Sequence, residues 1–114
     1  MRQILGLVAL VALAACASYP APTDRVNTAE AAIGRAQGAG APNVPSAALS
    51  LKLAQEEVQK AKQLMQDGDN KRAETMLMRA QADADLAYAQ AREQQAKSEA
   101  QKASEQAKEL RGGK

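Results

Sequence analysis

The chain has 114 residues, with 15 Lys+Arg against 13 Asp+Glu, no His, Phe or Trp, two Tyr and one Cys. A near-neutral balance with the two signs interspersed gives no electrostatic footprint for nucleic acid, and the lack of histidine removes the commonest general acid–base group. Alanine, Gln, Glu and Lys dominate and none is β-branched, so the class is all-α, with a thin core because alanine buries little area.

The first element is a leader. Arg2 forms a minimal basic n-region, Ile4 to Leu13 is a ten-residue apolar run, and small residues follow. That is the layout of a secretory signal, and it is too short to span a membrane, which takes roughly 20 apolar residues. The run closes on Leu13-Ala14-Ala15-Cys16. These four residues resemble the lipobox of bacterial lipoproteins. The resemblance implies cleavage after Ala15, diacylglycerol on the Cys16 thiol and acylation of the new amino group, with no other cofactor. An ordinary signal cut at the same place would leave Cys16 as an unpaired thiol in an oxidising compartment, whereas lipidation consumes it. Two or three acyl chains anchor stably where one binds only marginally. Ala17 stands where an aspartate tends to retain enterobacterial lipoproteins at the inner membrane, so the expected location is the outer membrane, facing the periplasm.

Cys16 to Pro22 reads as a tether kept extended by Pro20 and Pro22. Thr23 or Asp24 is expected to cap a first helix over about 23–37, whose Val26, Ala29, Ile33 and Ala36 share one face. A Gly/Pro-dense loop follows over 38–45. Ser46 is the expected cap of a second helix over 46–67, carrying the seam Ala47, Leu51, Ala54, Val58, Ala61 and Met65, with Leu64 beside it. Gly68 closes that helix in the left-handed conformation and Asp69 caps the third, over 69–110, making an antiparallel hairpin. Ala73, Leu77, Ala80, Ala84, Ala87 and Ala91 continue the seam, widened by Met76 and Tyr88. Three matched seams predict a small up-down-up three-helix bundle with a long protruding C-terminal helix.

After Ala91 the seam positions turn polar, at Gln94, Gln95 and Ser98, and a different stripe takes over: Ala96, Ala100, Ala103, Ala107 and Leu110. No other segment of this sequence is expected to cover it. The expectation is a solvated extension held by pairs such as Glu93–Lys97, each worth about 0.2–0.5 kcal/mol. The second reading is a coiled-coil surface, either for another envelope protein or for self-association. Arg111 to Lys114 is expected to fray.

Several runs carry a further likeness: Ala29-Glu30-Ala31-Ala32-Ile33, the Ala/Gly/Pro loop, the helix ending in Gly68-Asp69, Arg72-Ala73-Glu74, and Ala80-Gln81-Ala82-Asp83-Ala84-Asp85-Leu86-Ala87. Together they resemble the bacterial lipoprotein family of domain of unknown function 4398, over nearly the whole mature chain. That resemblance implies a short alanine-rich envelope protein. The OmpA-like domain that some members carry is not expected here. The hairpin also resembles half a tetratricopeptide-type repeat, but arrays of that kind need at least three repeats.

Possible sites are few. Asp83 and Asp85 are two apart on a helix and diverge, so they make no acid–base pair. Asp67-Gly68-Asp69-Asn70 faintly resembles a calcium loop, but Lys71 and Arg72 fall where a ligand and a glycine belong and Met78 replaces the closing glutamate. No metal site is expected, and Met76, Leu77 and Met78 read as core. Lys114 follows Gly112-Gly113 and resembles the C-terminal lysine by which the major enteric outer-membrane lipoprotein is joined to peptidoglycan. That tether is the alternative function. The leading expectation is a lipid-anchored, non-catalytic helical envelope protein with a structural or adaptor role.

Overall fold

The computed structural model describes residues 18–113, so the leader, Cys16 and Lys114 lie outside the described residues. Three helices form: α1 over Thr23–Gly38, α2 over Pro45–Gln66 and α3 over Asn70–Gly112, with a short 3-10 turn at Ala41–Asn43. The protein is all-α.

The helix ends follow from a few residues. At the α2–α3 turn, Gly68 takes φ +80°, its N–H donates to the Met65 carbonyl, and the Asp69 N–H donates to that of Leu64. This paired closure is the Schellman motif, which needs a residue free to adopt the left-handed region. The Asp69 carboxylate then accepts from the Arg72 N–H and caps α3. The other two caps differ from expectation. Pro45, not Ser46, begins α2, because a proline at the first helical position loses no needed donor and extends the residue before it. Val44 accordingly sits at φ −114°, ψ 113° with no side-chain cap. Likewise Pro22 precedes α1, and its carbonyl accepts from the Arg25 and Val26 N–H groups. Thr23 and Asp24 therefore lie inside the first turn. At the far end, α3 remains helical through Gly112, and the Gly113 N–H reaches the Glu109 carbonyl.

Ion pairs between the helices report their directions. Arg25 meets Glu74 at 3.3 Å and Arg35 meets Asp85 at 2.9 Å, so α1 runs parallel to α3. Lys62, near the end of α2, meets Glu30 at the middle of α1 at 2.6 Å, and the tight turn at Gly68 makes α2 antiparallel to α3. The topology is up-down-up.

Between the helices, the described core holds sixteen buried apolar residues, and all but Leu51, Val58, Leu64 and Leu77 are alanine. Small side chains at the contacts let helix axes approach at the short end of the usual 8–10 Å range. Ile33 packs against all three layers of the core and supplies bulk that alanine lacks. Tyr88, expected to widen the α3 seam, is 40% exposed. Ala32 and Ser50 are buried although the seam reading omitted them; Ser50 is accommodated by its hydroxyl, which contacts the Ser46 carbonyl and Gln90.

Candidate interaction surface

At the closed end of the bundle the tether is docked. The Tyr19 hydroxyl donates to the Glu74 carboxylate, which also accepts from Arg25, and the Asn70 amide donates to the Tyr19 carbonyl at 2.8 Å. The Glu74 carboxylate holds the phenol proton and raises the Tyr19 pKa; the same hydrogen bond, helped by Arg25, lowers that of Glu74. These partners lie 49 to 55 residues apart in sequence, which is why the tether's composition gave no sign of them. Tyr19 thus lies beside the start of α3.

Midway along the bundle the two expected-divergent aspartates do diverge. Asp85 faces Arg35 of α1, while Asp83 faces Glu57 of α2. Burial raises the Glu57 pKa first, and the neighbouring Asp83 charge raises it further; its Oε2 is buried without a hydrogen-bond partner. Asp69 is occupied as a helix cap, and no group of three candidate ligands converges on a metal position among the described residues. Met76 is half-buried against the core and Leu77 is within it, but Met78, expected as core, is 52% exposed. It lies 100° round from Leu77 and so beyond the contact with α1 and α2. Where α3 leaves the bundle, a shallow cleft of about 310 Å³ opens between Val44, Ala91 and Ser98. Gln95 crosses it to donate to the Ala39 carbonyl at 2.9 Å.

The remaining feature is the outer face of α3. Ala96, Ala100, Ala103, Ala107 and Leu110 are all exposed, Leu110 at 79%. The stripe does not begin at the tail. Ala82, Leu86 and Ala89 carry it back along the bundle and are also exposed, Leu86 at 48%. Each of these three lies two positions from a buried alanine, about 200° round the helix, so the line runs opposite the core. Glu93 interrupts it and is paired with Lys97 at 2.6 Å, which lowers its pKa. Sequence reasoning found only the tail half. The 3–4 spacing from Ala82 onward was the available signal, masked by assigning the same helix to the inner seam.

The model of the family described as Domain of unknown function (DUF4398) matches residues 24–103. The chain belongs to this family. No curated protein and no solved structure matches it. The DUF4398 match takes in all three bundle-forming segments and the outer line as far as Ala103, leaving Ala107 and Leu110 beyond it. Among the described residues, no helix of this DUF4398 chain is long and apolar enough to cross a membrane.

Proposed function

We propose that this protein is a lipid-anchored envelope protein, held through Cys16 most naturally at the periplasmic face of the outer membrane. Its role on this reading is structural or adaptor-like and non-catalytic, with the outer face of α3 as the surface that receives a partner. The observation that carries it is polarity: the tether docks at the closed end of the bundle through Tyr19, Glu74 and Asn70, while the unpartnered half of α3 extends from the other end. At 1.5 Å per residue α3 is about 64 Å long, so a partner surface is held well away from the anchor. The lipobox Leu13-Ala14-Ala15-Cys16 supports the anchor, and the lack of histidine supports a non-catalytic role.

Intact-mass spectrometry of protein taken from host membranes, and separately from lysozyme-digested sacculi, tests this. The expected species begins at Cys16, carries acyl chains and has nothing attached at Lys114. A muropeptide on Lys114 would replace the adaptor with a covalent peptidoglycan tether. An unlipidated chain would remove the anchor.

A further inference from the structure

The outer line of α3 keeps one heptad phase from Ala82 to Leu110. Its a positions are Leu86, Glu93, Ala100 and Ala107; its d positions follow three residues after each and end at Leu110. An a/d line sustained for three to four heptads is what a two-stranded coiled coil requires, and every one of these residues is exposed. We infer that the occupant of this face is a second copy of the same helix, lying antiparallel, with Leu86 of each copy against Ala103 of the other. The inference rests on the proposed role of this face as the docking surface, and adds which partner fits it and how.

Flanking charge selects the arrangement. In antiparallel pairs the g positions of one helix face the g positions of the other, and e faces e. Here g holds Asp85, Arg92, Glu99 and Gln106, while e holds Asp83, Gln90, Lys97 and Ser104. With Leu86 opposite Ala103, Arg92 meets the second copy's Glu99 twice by symmetry, Asp85 meets Gln106, Gln90 meets Lys97, and Asp83 meets Ser104. No like charges face each other. Shifting one heptad in one direction sets Lys97 on Lys97 and Glu99 on Glu99. The opposite shift sets Arg92 on Arg92 and Asp85 on Glu99. A parallel pair in register is worse, because Glu93 would abut its own copy inside the seam and Arg92 would face Lys97. In the favoured register Glu93 sits opposite Ala96, whose small side chain leaves the carboxylate a path to water beside its own Lys97. Leucine against alanine also matches large to small across the seam. The tail of each copy then covers the bundle half of the other's outer line, so both halves of the stripe are covered by one contact.

Sedimentation equilibrium of the full chain in density-matched detergent, over a micromolar to millimolar series, reads this directly. The expected result is a mass moving from one chain to two. Arg92→Glu should weaken the dimer by about tenfold, since it replaces two attractive pairs with two repulsive ones, and Arg92→Glu with Glu99→Arg should restore it. Arg92 is exposed and its guanidinium donates to Gln95 of its own helix, so circular dichroism of R92E should stay unchanged. A single-chain mass throughout, a trimer, or an R92E dimer of wild-type strength would overturn the inference. A monomeric chain that still cross-links in cells to a different envelope protein, and loses that link on Ala100→Asp, would overturn self-pairing while leaving the adaptor role standing.

Discussion

Leu77→Ala tests the bundle at its most committed point. Leu77 is 1% exposed and, with Val58, is one of the two largest fully buried side chains. It packs in the layer formed by Ala29, Val58, Ala61, Leu64, Ala73 and Ala80. Truncating a buried leucine costs about 2–5 kcal/mol, depending on how far the site collapses into the cavity. Four of these six neighbours are alanines on helix backbones, and alanine has no rotamer with which to fill space, so the cost should reach about 3 kcal/mol or more. A domain of this size has a total stability of roughly 5–15 kcal/mol, and a core made mostly of methyl groups sits toward the lower end. The substitution should therefore remove a large fraction of it and lower the melting temperature by about 12–24 °C, at 4–8 °C per kcal/mol. Urea and thermal unfolding followed by circular dichroism measure both quantities. Leu110→Ala, at a position 79% exposed, serves as the control at concentrations where the chain is monomeric and should shift the melt by no more than about 2–4 °C, consistent with a surface change within ±0.5 kcal/mol. An L77A melt as close to wild type as that of L110A would refute the packing argument.

Glu57→Gln should stabilise the protein at neutral pH, because it removes a desolvated charge held against Asp83. Since the folded-state pKa lies above the unfolded value of 4.5, the folded protein binds the proton more tightly; stability at this site is present below 4.5 and is lost as pH rises through the folded pKa. Melts between pH 4 and 7 should show that slope in wild type and a flatter one in E57Q; identical slopes would contradict the carboxyl contact. Gly68→Ala meets open space but keeps φ +80°, so its cost is backbone strain alone, about 1–2 kcal/mol; an unchanged urea midpoint would count against the turn. Tyr19→Phe removes the donor to Glu74 and should leave the melt nearly unmoved while speeding hydrogen exchange at Asn70 and across residues 18–22. In wild type the same release should occur as pH rises through the elevated Tyr19 pKa, and exchange that is unaffected by Y19F would remove the docked tether.

The elements were legible because proline and glycine punctuate the chain and the inner seam is regular. Gly68 and Asp69 carry their conformations in their chemistry, so the hairpin follows from these two residues. The features that escaped are of two kinds. Tyr19–Glu74 and Glu57–Asp83 join residues far apart in sequence, and no local pattern encodes a long-range hydrogen bond or a shared burial. Tyr88, Met78 and the outer line of the bundle half escaped for another reason. An alanine-rich helix offers alanine on several faces, and periodicity alone does not say which face is inside. The structure settles that by exposing Leu86 and Met78. Pro45 won over Ser46 because a ring that fixes φ at the first turn outranks a side-chain cap one residue later.

Two apolar lines about 200° apart on one helix impose a consequence for anchoring. The inner line is spent within the bundle, and an antiparallel pair spends the outer one. In that pair the starts of the two α3 helices lie 49 residues apart along a common axis, or about 74 Å. Each start carries a docked tether through Asn70 and Glu74, so on the proposed lipidation the dimer would be held to lipid from opposite ends. A dimer of this kind cannot stand upright on one membrane with both anchors inserted. It lies along the surface, or it joins two surfaces roughly that distance apart. The monomer, by contrast, can stand with α3 pointing away. On that proposed anchoring, self-pairing would change how far the protein reaches from a membrane, and alanine suits such an exchange: a stripe of methyl groups can be left in water by the monomer at little cost, where a leucine stripe would bind irreversibly or aggregate.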